Sequence, residues 1–460
     1  MHTTHALRIT SPLPLTLTLA LALSCGDSGA NETTAITTAA PDSSGETTAG
    51  PGATTQGGSE SGEGSESEGV SDSGPLLDVG APDGGDDACG CEFNYVWIAN
   101  HEQSTVSKIN MDTLEEEARY LTRPDGMGNP SRTSVALDGS VAVANRHGGL
   151  VKFFADPADC VERNGVPGIQ TSQGKDDVLD WEMEECRAWY ADFGSTNQRP
   201  VAWTQGQVTG QCDATGEQVW TVTSEKPGLF PGIGAAGGII AYLVDGDTGN
   251  ITQKVTIPTF PGSSFGAYGG AVNAHGDLFV TTLGPARKLA RVKIDNLAYQ
   301  VWDVPMGVAP YGITVDHNGR VWLSSTLGSA GARFDPETET WDVIEGFGGG
   351  SGLAEGPDNL MWISGGGGVR SFDVETLAPG PVFSSNFTIK GVGFDADGYM
   401  WLVNWSDVDE GNQPLTEEVV MKVDLGTLTP VDAYNGLNRP YTYSDFTGNA
   451  LYTVTCNPNG

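Results

Sequence analysis

Asn100, Asn145 and Asn404 recur at equivalent points of a repeated pattern, each three residues beyond a marker position. Arg132, Tyr268, Tyr311 and Lys390 recur at or beside the start of the segment that precedes that marker. Amides, phenols, an ammonium and a guanidinium bind and orient; they do not by themselves move protons, and a neutral tyrosine is a poor base near pH 7. The set therefore suits recognition of a small polar or anionic ligand, a glycan or a peptide. Bond cleavage is the weaker reading, and no residue is assigned as catalytic. The three asparagines could surround Ca²⁺ only with a carboxylate beside them, and Glu102, Glu225 and Asp407 are the neighbours in sequence that could fold inward. Mg²⁺ or Ca²⁺ enters only with an enzymatic alternative, and no metal ligand is assigned.

These residues are lined up by a repeat. Residues 311–322 (YGITVDHNGRVW) align without a gap on residues 268–279 (YGGAVNAHGDLF), 351–362 (SGLAEGPDNLMW) and 390–401 (KGVGFDADGYMW), and more loosely on 131–142. Each copy alternates small and apolar residues, turns at an Asn-Gly or Asp-Gly type signal, and resumes with an aromatic-bearing run, which favours antiparallel strands. The markers stand at 97, 142, 220, 279, 322, 362 and 401, so the last three steps are 43, 40 and 39. That matches the roughly 40–45-residue period of a four-stranded propeller blade. The expected fold is an all-β propeller over residues 92–460, of seven four-stranded blades closed by strands from both chain ends, with eight as the other count. Tyr95 to Ala99 opens the first copy without its inner strand; residues 441–454 read as a hairpin that supplies it. In such a blade the inner strand starts and the second strand ends at one mouth of the channel. The residues named above, with Tyr441 beside them and His101, Arg146, His147, Trp405 and Arg439 nearby, therefore share a rim. His275 and His317 fall in turns on the opposite face and read as solvated, and Trp97, Trp220, Trp322, Trp362 and Trp401 read as core between blades.

Outside the repeat, composition decides. A formal net charge of −36 over 460 residues excludes a nucleic-acid-binding role, which needs clustered Lys and Arg. Residues 1–24 read as a secretion signal, ending in Leu21-Ala-Leu-Ser-Cys25, which resembles a bacterial lipobox with Ala22 at its usual leucine position. Lipidation at Cys25 would place the protein at the outer membrane or cell surface, as a monomer touching membrane only through its anchor. Residues 25–91 are rich in Ser, Thr, Gly and Glu and read as a disordered tether. In an oxidising compartment the remaining cysteines should pair. Cys456 with Cys91 or Cys89 would staple the ends of the ring, and Cys160 with Cys186 would tie the insertion expected at residues 155–200. Within it, residues 162–173 resemble an EF-hand loop that has lost its ligands at Val166 and Gln173 and its glycine at Pro167, so a metal-free loop is expected. Its end, around Trp181 and Trp189, reads as helix-like.

The unit PYGITVDHNGRVW, taken with its copies over about residues 93–455, resembles the repeat of virginiamycin B lyase (streptogramin lyase) propellers and, more distantly, NHL and YVTN repeats. The resemblance implies a propeller. In that family a histidine in the first ring is catalytic and a glutamate in the second binds Mg²⁺. Here the matching positions are Tyr311 or Tyr268, and Ser325 or Thr282. The family's chemistry is therefore not carried over, and the leading expectation is a ligand- or partner-binding surface protein. The alternative is a metal-assisted propeller enzyme, either a lyase of this type or a lactonase-like hydrolase.

Overall fold

A computed structural model describes residues 94–210, 213–226, 228, 235–263, 265–326, 330–347, 349–405 and 417–456. The chain divides into two compact units, Met1–Ala81 and Pro82–Gly460, and every described residue belongs to the second. The signal, the tether and Cys25, Cys89, Cys91 and Cys212 lie outside the described residues. So does any cross-link from Cys456 to Cys89 or Cys91.

The sheets are antiparallel and built from strands consecutive in sequence. One four-stranded sheet comprises Pro130–Val135, Val141–Asn145, Leu150–Phe153 and Arg187–Ala191. Another joins Gln198–Trp203 to Gln218–Lys226, Ala236–Asp245 and Ile251–Ile257, with the small hairpin Gln207–Gly210 and Asp213–Thr215 between its first two strands. Ala267–Val272 opens a third and Pro310–Val315 a fourth. This is the arrangement of a β-propeller. Tyr95–Asn100 opens a three-stranded sheet, as expected for a copy lacking its inner strand.

The last repeats fuse into one six-stranded sheet. Pro379–Phe394 pairs through its first half with Leu360–Asp373 and through its second half with Tyr399–Trp405. Between Trp362 and Trp401 an outer strand thus runs straight into the next inner strand without a loop.

Glycine in the repeat serves close approach between inner strands. A Cβ on Gly312 would lie 2.0 Å from the carbonyl oxygen of Ser351. Hydroxyls fasten the same neighbours: Ser324 Oγ donates to Ser351 O at 2.8 Å, and Ser364 Oγ donates to Lys390 O at 2.6 Å. On the other side Trp203 N donates to Ser134 Oγ at 3.0 Å. The aromatic markers Trp97, Trp220, Trp322, Trp362 and Trp401 are each fully buried, as expected of core between sheets. Their indole N–H groups are satisfied at turns, as from Trp322 to Asp316 and from Trp401 to Asp395, both 2.8 Å.

Three expectations are corrected. Residues 450–454 are not a strand but part of the helix Asn449–Thr455. Asp445 accepts from Gly448 N at 2.9 Å, Gly448 turns in the left-handed region, and Leu451 and Val454 then bury one face at the lower end of the channel. Spacing of three residues and tertiary burial override the β-branched content of this segment. The helix also removes the surplus strand, because residues 440–446 alone run beside Tyr95–Asn100, with Tyr441 N on Ala99 O and Trp97 N on Phe446 O, each 2.9 Å.

The insertion ends earlier than expected. Cys160 and Cys186 do form a disulfide, but Arg187–Ala191 is already an outer strand and Gln198–Trp203 the next inner one. The stretch around Trp189 is therefore strand, not helix. The EF-hand-like loop is organised by carboxylates from its far end. Glu185 accepts from the backbone of Arg163, Asn164 and Gln170 at 2.6, 3.0 and 2.8 Å, and these bonds hold its pKa below the usual carboxylate range.

His317 is not solvated. Its Nδ1 pairs closely with the buried Glu355 of the next inner strand, and its backbone N–H donates to the same carboxylate at 2.8 Å. Asp-His-Asn-Gly is the turn it was expected to be, but the turn packs against a neighbouring sheet. His275, in the equivalent turn, is exposed.

Candidate functional site

The second residue of successive inner strands points to one place. Tyr268 is second in Ala267–Val272, Tyr311 in Pro310–Val315 and Arg199 in Gln198–Trp203. With Tyr441 and Tyr443 from the C-terminal crossing, Tyr268 and Tyr311 form a packed cluster flanked by Phe265, Leu283 and Trp405. Tyr441 Oη lies 2.7 Å from Tyr311 Oη and 3.3 Å from Tyr268 Oη. The expected rim residues thus do come together, but beneath the surface. Arg132 and Tyr268 are each 2% exposed, Tyr311 1% and Lys390 7%. They close the upper end of the channel rather than edging an open hole.

Cations sit on the faces of this cluster. The Arg132 guanidinium lies 3.3 Å from the Tyr443 ring centre, and its Nη2 donates to Tyr268 O at 3.0 Å. Arg146 lies 4.0 Å over Tyr441, and Arg199 lies 4.8 Å over Tyr268 and 4.9 Å over Phe265. Lys390 Nζ is 4.8 Å from Tyr311 and 4.9 Å from Trp405. Ring quadrupoles attract such charges, and do so more strongly out of water. Burial works against the Arg132 charge, but the surrounding tyrosines outweigh it and raise its pKa. Arg146 is lowered, first by burial, with Arg199 adding like-charge repulsion against the attraction of Tyr441. His101 packs on Trp405 and edge-on to Tyr441, and burial, then Arg146 and Arg439, lowers its pKa to about 3, so it is neutral.

Arg146 is presented by a tight turn. Gly148 has φ +94, and a Cβ there would lie 1.9 Å from Ser195 O, so the chain can double back only with glycine. Arg146 Nη1 donates to Asn129 Oδ1 at 2.5 Å, but its Nε is buried without a partner among the described residues. The same holds for Arg199 Nε, His101 Nδ1 and the Tyr443 hydroxyl.

The three asparagines have a different use. Each is fully buried and hydrogen-bonded within the protein. Asn100 Nδ2 donates to Ser107 Oγ at 2.7 Å and its Oδ1 accepts from Asn438 N at 2.8 Å. Asn145 donates to Thr122 O and accepts from Thr122 Oγ1, both 2.7 Å. Asn404 donates to Glu417 O and accepts from Val419 N at 2.8 Å. They fasten loops to strand ends. The carboxylates that a Ca²⁺ site would need are engaged too. Glu102 pairs with Arg439 at 3.0 Å, Glu225 accepts from Gly238 N at 2.8 Å, and Asp407 lies outside the described residues. Ser325 and Thr282, at the position where the lyases carry their metal-binding glutamate, accept from Ala309 N at 3.0 Å and Lys288 N at 2.9 Å. Among the described residues no group of three or more His, Cys, Asp or Glu could hold a metal ion.

Sequence reasoning missed Arg199, Tyr443 and Phe265. Arg199 had a signal: the segment Arg199-Pro-Val-Ala-Trp203 is an inner strand in the place where the insertion hides the repeat. Tyr443 and Phe265 carry no pattern that marks them.

No family model matches the chain, and no curated protein matches it. Among solved structures it is similar to a functionally unknown protein from Desulfotomaculum acetoxidans, with 13% identity and a TM-score of 0.51 over 75% of this chain and 96% of that one. A streptogramin B lyase structure aligns at 12% identity and a TM-score of 0.46, over 68% of this chain and 91% of that one. The dihydro-haem d1 dehydrogenase NirN aligns at 12% identity and a TM-score of 0.47, over 77% and 66%. These are likenesses of fold.

Proposed function

We propose that this chain is an exported, lipid-anchored propeller of seven blades that recognises a small ligand at the upper end of its channel and does not cleave it. The blade count rests on the inner segments that neighbour one another through hydroxyls and glycines, including residues 441–445, where Ser444 Oγ donates to Thr133 O at 2.7 Å. The anchor rests on Cys25 and the tether composition. One observation carries the binding reading: Arg132, Arg146, Arg199 and Lys390, from separate elements, converge on one aromatic cluster with half-buried Trp405, Phe265 and Leu283 around it. Rigid aromatic faces and guanidinium groups are what recognition sites are enriched in. The groups present orient and attract.

The test is a thermal-shift screen of the mature protein against small sugars, short peptides and organic acids. The expected result is a saturable hit, weakened at least tenfold by Trp405→Ala and untouched by His275→Ala at the opposite end. A hit equally weakened by His275→Ala, or conversion of the hit to products by the purified protein, overturns the proposal. Membrane fractionation of Cys25→Ala tests the anchor separately: the variant should leave the membrane pellet.

A further inference from the structure

Arg146 and Arg199 share one property: the Nε of each is withdrawn from water, and no carboxylate contacts either guanidinium among the described residues. Arg199 is 5% exposed, and its contacts are the rings of Phe265 and Tyr268. Among the described residues its Nε has no partner, nor does Arg146 Nε. The two charges repel one another across a pair of tyrosines whose hydroxyls are 3.3 Å apart. Away from this cluster three inward guanidinium groups are answered by acids: Arg119 by Glu116 at 2.7 Å, Arg291 by Asp277 at 2.8 Å, Arg320 by Asp316 at 2.8 Å; Arg132, within the cluster, is instead met by the carbonyl oxygens of Ser131 and Tyr268 at 2.9 and 3.0 Å. The sequence has 59 acidic against 23 basic residues, yet among the described residues no carboxylate contacts either guanidinium. Buried charges are ordinarily paired, and an unpaired N–H out of water is costly unless a partner arrives.

We infer that the Arg146–Arg199 pair, with the neutral imidazole of His101 beside it, is a binding site for an oxyanion, a carboxylate or phosphate group, carried by a ligand whose apolar part lies on Trp405, Phe265 and Leu283. This rests on the proposal above and gives the ligand its chemistry. A guanidinium offers in-plane N–H donors that match two oxygens at once, which an ammonium cannot do. The oxyanion takes the free Nε–H groups and removes the repulsion between the arginines. The chain as a whole, at a formal net charge of −36, repels anions, so the site selects small ligands that reach the channel end over polyanions that must lie across the surface.

The experiment is isothermal titration of the mature protein with sodium benzoate, inorganic phosphate and, as a neutral match to the first, benzamide, all at one ionic strength set with chloride. The expected result is saturable binding of benzoate or phosphate, absent for benzamide, and weakened at least tenfold in both Arg199→Met and Arg146→Met. Benzoate alone points to a carboxylate and phosphate alone to a phosphate. Binding by Arg199→Lys should stay weak, because charge is kept and the planar fork is lost; circular dichroism of each variant reports whether it is folded. Affinity unchanged in Arg199→Met, or benzamide binding as well as benzoate, overturns the inference while leaving a neutral-ligand site at Trp405 standing. Absence of binding by both anions overturns it as well, and the screen above then decides the broader proposal on its own.

Discussion

The two ends of the channel are built from the same repeat and treat charge in opposite ways. At the lower end, where inner strands finish, Asp316, Asp445 and Glu355 are answered from several sides, while Trp203 Nε1 and Glu217 Oε1 are the buried atoms there without a partner among the described residues. Asp316 accepts from Trp322 Nε1 and Arg320 Nε, each at 2.8 Å, Asp445 accepts from Val135 N at 3.1 Å and Gly448 N at 2.9 Å, and Glu355 holds His317. The C-terminal helix then covers that end with Leu451 and Val454. At the upper end cations rest on aromatic rings, and Arg146, Arg199, His101 and Tyr443 each keep a polar atom without a protein partner among the described residues. Saturated polar groups specify and stabilise a fold; unsaturated ones cost stability and persist where a ligand completes them. The lower end reads as architecture and the upper end as site.

The largest effect that can break this contrast is a truncation at the lower end. Trp322 is fully buried and bonded to Asp316, so Trp322→Ala should cost about 3–5 kcal/mol from the cavity and the lost partner. Denaturant unfolding measures it, and a loss below about 1 kcal/mol would mean that the blade junction is not where stability resides. Asp445→Ala comes next. It strips the acceptor from Val135 N and Gly448 N at the start of the helix, for an expected loss of about 1–3 kcal/mol. Protease cleavage near residue 449 should accelerate in parallel.

The two histidines sharpen the contrast through pH. His101, at the upper end, has a folded pKa lowered to about 3 from 6.5, chiefly by burial. The unfolded chain binds this proton first, so stability falls as pH drops below about 6.5, with a slope of at most ~1.4 kcal/mol per pH unit. His317, at the lower end, has its pKa raised, first by its hydrogen bond to Glu355. Here the folded state holds the proton more tightly. Its contribution is full below about pH 6.5 and is lost as pH rises through the raised value. Melting curves of His101→Gln between about pH 5 and 6.5 should be flatter than the parent's, and His317→Gln should lose the decline above that range. A slope unchanged in either variant removes that histidine from the account.

How much of this was legible depended on what the repeat could carry. Residues 311–322 and their copies fixed strand order, the buried tryptophans and the convergence of Tyr268, Tyr311, Lys390 and Arg132, because one period places equivalent residues side by side. It could not show which way an amide faces, so Asn100, Asn145 and Asn404 looked like ligand groups when each is bonded to neighbouring segments of the protein. Where the insertion broke the period, Arg199 disappeared from view. At the C-terminus there was no further copy to compare, and β-branched residues suggested a strand where burial of Leu451 and Val454 makes a helix. The His317–Glu355 pair joins neighbouring repeats, a contact that spacing within one repeat does not encode.

The smallest expected change in stability is the most telling. Arg199→Met removes a charge that is 5% exposed, and by volume and burial it should be as damaging as a lower-end substitution. Two terms oppose each other. The arginine loses its attraction to the rings of Phe265 and Tyr268, worth about 0.5–2 kcal/mol for a desolvated pair. Against that, the variant no longer buries a guanidinium whose Nε is unpartnered, and methionine fills similar space with favourable sulfur–ring contacts. Repulsion on Arg146 is relieved as well. The net should lie within about 1 kcal/mol of zero, on the stabilising side, in ligand-free protein. Unfolding of the parent and variant in the same buffer decides it. A loss of several kcal/mol would mean that Arg199 is satisfied by its rings as fully as Asp316 is by its donors, and the two ends of the channel would then differ only in the sign of the charge they bury.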